Sequence, residues 1–297
     1  MVALTDFDAD PAVVPLTPAD VGRLRISWRA RLAADEIQRC LFLAPGRSVW
    51  SPATDEYAVA MPWRNRLDVI QIAEVAAIRH PEAMIRGVVE AAHARGAAMT
   101  VLVEIDEKRP PSFYERVEFE HLERVVTFQI DRRHAPNLER LHTMRFIRAD
   151  PADPRTLGTL MQIDHQAFPW LWRNSAQEFQ TYGLTPGVEI YLGLDNDQPV
   201  SYIGFTSFPG WGHVDRIAVL PDLQGSGYGL QTLAFAVEAM GRRGVRRIGL
   251  STQSTNEQSQ RLYRRYGFQR SADNDYDLWG DTTRRTPGIL STPPFER

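Results

Sequence analysis

The sequence predicts a mixed α/β protein built as two tandem domains, and three observations carry that prediction. Its 297 residues are enough for about two ordinary domains. In the second half, strand-like and helix-like stretches alternate, which is the pattern of a mixed sheet with helices packed on it. The halves also share short matches at nearly the same offset, 148 and 149 residues. Ala236–Gly244 (AVEAMGRRG) repeats Val88–Gly96 (VVEAAHARG), and Leu262–Phe268 (LYRRYGF) repeats Phe113–Phe119 (FYERVEF).

The first half opens with apolar residues at three- and four-residue spacing over 18–44, which predicts a helix. Strands are expected at Tyr57–Met61 and Leu67–Ile78. A helix should run from Pro81 to Arg95, because proline suits a first helical turn and Gly96 a C-terminal cap. Ala98–Ile105 and Arg124–Ile130 read as strands, and Asp131–Leu141, polar and holding Pro136, as the linker. Beyond it the expected order is strand Met144–Arg148, helix Pro154–Phe168, and an aromatic break, Phe168-Pro169-Trp170-Leu171-Trp172. A helix should then start near Ser175, followed by strands Glu189–Leu194, Val200–Ser207 and His213–Leu220. Helix Gly229–Arg243, strand Arg247–Thr252 and helix Asn256–Tyr266 complete the series. The expected domains are 1–140 and 141–280, with 281–297, which holds three prolines, as an extended tail.

Composition removes several function classes. Apolar residues make up 43% and charged residues 24%, as in globular chains, so wholesale disorder is excluded. A net charge of -3 leaves no basic footprint for nucleic acid. No apolar run is long enough for a transmembrane helix and no signal peptide is visible, so the expectation is a cytoplasmic protein away from membranes. The single cysteine, Cys40, suits a buried helix position, and the scattered histidines show no metal-ligand spacing.

The most informative segment is Gln224-Gly225-Ser226-Gly227-Tyr228-Gly229, which follows a strand and opens a helix carrying Leu230, Leu233, Val237 and Met240. Closely spaced glycines let the backbone turn sharply and point successive N–H groups at a ligand. The helix N-terminus adds free donors and a positive dipole end, so the unit is built to hold phosphate. The first copy is shorter there by about the length of Leu223–Leu230.

Beyond the loop come Asn256, Tyr263 and Tyr266-Gly267-Phe268. With Phe168-Pro169-Trp170, Ile217-Ala218-Val219 and Pro221, these residues make the chain resemble the GNAT acetyltransferase superfamily over roughly 144–280, most closely its ribosomal-protein alanine N-acetyltransferase branch. The resemblance implies two tandem domains, each a mixed, mostly antiparallel sheet flanked by helices. It implies acetyl-CoA as co-substrate and an amine as acceptor, with no metal. Ile217, Ala218 and Val219 would bind the pantetheine arm, Gln224 through Leu230 would cradle the pyrophosphate, and Asn256 would touch the cofactor. Tyr263 falls where the family places a general acid. A phenol of pKa about 10 can protonate a departing thiolate whose thiol titrates near 8.5.

The general base is less well marked. The alanine branch has a glutamate where this chain has Ser251, which is no base at neutral pH. His213 and Asp215 alternate on the strand before the loop and, at a period of two, share a face with Ile217. His213 suits proton abstraction through a water, whereas Asp215 could instead pair with Arg216. The aromatic run at 168–172 would wall the acceptor pocket or simply fill core, and Glu178 and Glu189 are candidates to hold a cationic amine. Residues 1–140 resemble a degenerate copy in which Tyr114 aligns with Tyr263. Arg79-His80-Pro81-Glu82 is expected to supply no run of converging amides, hence no acetyl-CoA there. The expected activity is acetyl transfer to a peptide N-terminus or a small amine by a monomer or homodimer. The alternatives are an acetyl-CoA sensor or a mycothiol-synthase-like enzyme.

Overall fold

The computed structural model describes residues 10–281 except Arg29, 106–108 and 137–142, so the tail expected at 282–297 lies outside the described residues. The chain divides into two compact units. One takes in the sequence up to Leu122 and resumes at Asp277, and the other spans Glu123–Tyr276. The division falls inside strands, not in the polar segment at 131–141 where composition puts a linker.

In the first unit, β1 (Val14–Pro15) precedes a 3-10 turn, Pro18–Arg23, and then α1 (Ala34–Leu43). The continuous helix expected over 18–44 is therefore interrupted. The cause is Glu74, whose buried carboxylate accepts the amides of Arg31 and Leu32 at 3.1 and 2.9 Å and holds that stretch out of helical conformation. Helix restarts where Glu36 reaches back to the Ala33 amide at 2.8 Å. Cys40 is buried on α1, where burial pushes its thiol pKa up.

There follow β2 (Val49–Ser51), β3 (Glu56–Trp63), β4 (Arg66–Ala76), α2 (Pro81–His93), β5 (Met99–Glu104) and α3 (Pro111–Arg116). Then come β6 (Phe119–Asp131), β7 (Arg145–Arg148), α4 (Pro154–Ala167), α5 (Ala176–Leu184), β8 (Val188–Asp195) and β9 (Gln198–Phe208). The chain closes with β10 (Trp211–Val219), α6 (Tyr228–Arg242), β11 (Arg247–Gln253), α7 (Glu257–Tyr266) and β12 (Gln269–Asp281). Sequence reasoning missed β1, β2, α3 and β12.

The first unit's strands run β1-β2-β3-β4-β5-β12 and the second unit's β6-β11-β10-β9-β8-β7. In each unit the pairing is antiparallel except at one place, β4 with β5 and β10 with β11, and there the crossover is a helix, α2 or α6. The mixed, mostly antiparallel sheet is thus present twice. Each sheet is completed by a strand from the other half of the sequence. β11 pairs with Val125–Asp131 of β6, and β5 pairs with Asp277–Gly280 of β12.

Each unit has a core on either face of its sheet. In the second, Ile203, Phe205 and Val214 pack with α6 and α7, while Tyr202, Ala218 and Ile190 pack with α4 and α5. Among the described residues no helix is long and apolar enough to cross a membrane.

Candidate active site

β10 and β11 pair only over Trp211–Val214 and Arg247–Leu250. Beyond that register β10 continues to Val219 alongside β9, and β11 to Gln253 alongside β6, so the two strands part. Ile217, Ala218 and Val219 lie on the parted stretch and pair with Ile203, Tyr202 and Ser201 on β9. A bulge between Val214 and Arg216 breaks the period of two. Ile217 packs toward α6 and α7, whereas Asp215 meets Tyr182 of α5, so the shared face expected for Ile217, His213 and Asp215 is not formed.

β10 leads through a short turn, Pro221–Leu223, into the glycine loop. Gly225 and Gly227 have φ of +83° and +90°, and a Cβ on either would meet nothing within 4 Å. Glycine is therefore required by the left-handed backbone and not by crowding. Gly227 is also the N-cap of α6 and has no side chain to cap with, so the first amides of α6, from Tyr228, Gly229 and Leu230, are left to other acceptors. Gln224 and Ser226 are exposed; Gln224 turns back to the Val219 carbonyl at 3.2 Å, and the Tyr228 hydroxyl donates to Asp195 at 2.7 Å. The loop is thus an open turn backed by the positive end of a 15-residue helix, and these residues fit a pyrophosphate.

Asn256 caps α7, its Oδ1 accepting the Ser259 amide at 3.0 Å, which leaves its side-chain N–H donors for another partner. Tyr263 is 3% exposed, with its ring against Phe128 and Phe268 in the core that also holds Ile217 and Leu230. Burial pushes its phenol up to about 12, with Ser259 opposing, so the proton stays on oxygen at neutral pH. Ser251 pairs with Thr127 and brings no carboxylate to β11.

His213 pairs with Gly249 where the strands begin to part; a Cβ on Gly249 would meet the His213 ring at 3.3 Å. His213 Nδ1 sits 2.8 Å from Asp215 Oδ1. The other Asp215 oxygen accepts the hydroxyls of Tyr182 at 2.5 Å and Thr206 at 2.6 Å. Gly204 makes room for this, because a Cβ there would come within 2.7 Å of the Tyr182 ring. Burial, reinforced by the Asp215 charge, pushes the Tyr182 phenol far up, keeping it a donor. A carboxylate only accepts, so Nδ1 is the donor in this contact and Nε2 is the ring nitrogen left outside it. Sequence reasoning missed Tyr182 and Thr206, which come from separate elements and carry no local motif.

Asp215 does not pair with Arg216. Arg216 reaches the fully buried Asp164 at 2.6 Å, donates to Tyr202 at 2.8 Å and to the Trp172 carbonyl at 2.6 Å, and lies 3.7 Å over the Phe168 ring. Burial disfavours its charge, but Tyr202 and Asp164 outweigh that and raise its pKa. Asp164 also accepts the Asn174 amide at 2.9 Å and the Tyr202 hydroxyl at 2.5 Å. This network fixes the aromatic run at both ends, with Trp172 buried. Glu189 is taken up by Tyr191 and Arg243, so it does not await a cationic amine, and Glu178 begins α5 beneath its Ser175 cap. Asp164→Ala is expected to cost about 3–5 kcal/mol, since it strands a buried guanidinium. Urea unfolding beside the conservative Asp164→Asn measures it.

The first unit shows the same parting: β4 and β5 pair only over Val69–Ile72 and Met99–Leu102. The amides of Ile78, Arg79 and His80 converge just before α2, which corrects the expectation that this turn supplies none. They converge on the Glu56 carboxylate, at 2.8, 2.6 and 3.4 Å. Tyr114 is fully buried, donates to Glu104 at 2.6 Å and stacks on Trp279 at 3.8 Å.

Residues 157–268 match the model of the acetyltransferase (GNAT) family. The second unit is a GNAT acetyltransferase domain. Solved structures similar to this chain include a GCN5-related N-acetyltransferase from Sphaerobacter thermophilus, 19% identical over 95% of this chain and 98% of that one, with a TM-score of 0.60. Another is a tandem GNAT protein from the clavulanic acid biosynthesis pathway, 14% identical over 91% and 97%, with a TM-score of 0.57. A third is a GCN5-related N-acetyltransferase from Kribbella flavida, 15% identical over 91% and 70%, with a TM-score of 0.61. At these identities the likeness shows the fold. No curated protein matches the chain. The GNAT fold supports acyl-CoA-dependent acetyl transfer in general. Among the described residues no group of three or more His, Cys, Asp or Glu gathers to hold a metal.

Proposed function

We propose that the second unit moves an acetyl group from acetyl-CoA to a primary amine by direct attack. The observation that carries this reading is the parting of β10 from β11 ahead of an uncapped glycine turn at the start of α6. The amides from Gln224 to Leu230 hold the pyrophosphate, the backbone of Ile217, Ala218 and Val219 takes the pantetheine arm, and Asn256 contacts the cofactor through its free amide donors. His213 Nε2 takes the amine's proton through a water, so that the nitrogen lone pair can attack the thioester carbonyl. Asp215 positions His213 and does not touch the reacting atoms. As the carbon–sulfur bond breaks, Tyr263 gives its proton to the thiolate and regains one through solvent.

The acceptor is a peptide N-terminus, as the alanine-acetyltransferase resemblance suggests, or a small amine, in a cytoplasmic monomer or homodimer. The first unit, which runs to Leu122 and resumes at Asp277, is structural. Amine-dependent release of free thiol from acetyl-CoA tests the reading. The parent should release thiol, and Tyr263→Phe, which keeps the ring in its core, should release it ~10²-fold more slowly with the acetyl-CoA thermal shift retained. Binding without amine-dependent thiol in a broad amine screen would overturn catalysis and favour an acetyl-CoA sensor.

A further inference from the structure

The first unit raises a question the activity leaves open: what satisfies an anion-binding turn that has lost its glycine loop. β4 parts from β5, and the chain then turns into α2 through Ile78, Arg79 and His80. Three successive amides directed at one point ahead of a 13-residue helix are the arrangement that receives a phosphate group. Their common acceptor is Glu56 Oε1, carried on the first residue of β3, the strand that lies beside β4. Glu56 is 6% exposed, and its position is fixed by the sheet. His80, the N-cap of α2, provides no side-chain cap, so the carboxylate is the group that meets the helix's positive end. Burial alone would raise the Glu56 pKa, but the amide bonds from Arg79 and Ile78 outweigh it and hold the group ionised.

The second landmark of the site is closed in the same way. Glu104, also buried, accepts both the Tyr114 hydroxyl and the Arg109 amide at 2.6 Å, and Trp279 covers the Tyr114 ring at an interplanar angle of 3°. A tyrosine committed to a buried carboxylate and covered by an indole is unavailable to a thiolate.

We infer that Glu56 fills, within the first unit, the place that a phosphate group takes ahead of the corresponding helix of the second. The first unit thereby carries its anion as part of its own fold, and the chain takes one acyl-CoA and not two. The count of one rests on the function proposed above; the internal anion does not.

Inorganic pyrophosphate is the probe that keeps these apart. Gly227→Glu silences the glycine loop, and Glu56→Ala is added to it. The double variant should melt several degrees higher as pyrophosphate is raised, while Gly227→Glu alone should not respond. No response in a folded double variant, or an equal response in both, would overturn the inference. Hydrogen exchange on the parent decides the case in which Glu56→Ala does not fold. The Ile78 and Arg79 amides should exchange as slowly as amides in the middle of α2, and acetyl-CoA should leave them unchanged while protecting the loop at Gly225–Gly229. Fast exchange at Ile78 and Arg79, or protection gained there on adding acetyl-CoA, would sink it.

Discussion

Gly227→Glu is expected to abolish stabilisation by acetyl-CoA while leaving the chain folded. The parent at a ligand concentration of 100 times Kd should gain about 2.7 kcal/mol, on the order of 5–10 °C in melting temperature. The variant loses this for two reasons. A glutamate at a φ of +90° is strained by roughly 1–2 kcal/mol, so the loop leaves the geometry that aims its amides inward. A carboxylate is also set at the positive end of α6, where it competes with the pyrophosphate for the same donors. Steric disruption is not the cause, because a Cβ at Gly227 meets nothing within 4 Å.

Gly244→Glu separates strain from binding. Gly244 has a φ of +81°, is equally open, and follows the far end of α6. It should lower the melting temperature by a similar amount and keep the full acetyl-CoA shift. The measurement is a thermal-shift titration of all three proteins. An unresponsive parent, or a Gly227→Glu protein that still responds, would sink the assignment of the loop.

What the sequence made legible was local. Apolar alternation marked the strands that lie under helices, and Pro81, Gly96, Ser175 and Asn256 marked helix ends because each acts on its own turn. The glycine loop was legible for the same reason. The bulge at Val214/Arg216 was not, since nothing in His213-Val214-Asp215-Arg216 differs from regular alternation until α4 and α5 offer Asp164 and Tyr182 as partners. Arg216 looked like a neighbour for Asp215, yet a buried carboxylate 52 residues away holds it. Glu56, Glu74 and Glu104 were silent in the sequence, because each caps amides or a hydroxyl brought to it by folding.

The least legible feature was which strand completes which sheet. Chain order offers β6, which follows α3, to the first sheet and β12, which follows α7, to the second. β12 pairs with β5 and β6 with β11 instead, a long-range choice that no local pattern in the sequence marks. That exchange makes the end of the chain decisive for its beginning.

Ending the chain at Tyr276 should therefore unfold the first unit and spare the second. Every described residue of the second unit is retained, while the first loses Asp277–Asp281. Leu278, fully buried, and Trp279, stacked on Tyr114, each contribute roughly 1.5–3 kcal/mol of apolar burial. Asp281, 2% exposed, binds His93 at 2.9 Å and the Thr100 amide at 3.0 Å, and its removal leaves both without that acceptor in the interior. The loss also leaves the β5 edge unpaired along Val101–Glu104. Set against a typical domain stability of about 5–15 kcal/mol, these losses suffice to unfold the unit. Calorimetry should show the parent's transition replaced by a smaller one that acetyl-CoA still shifts upward, since its loop lies wholly in the retained unit. A truncated chain that melts within a couple of degrees of the parent, with the same enthalpy, would show that β6 can close the first sheet by itself. The exchanged pairing would then be one of two that the sequence permits.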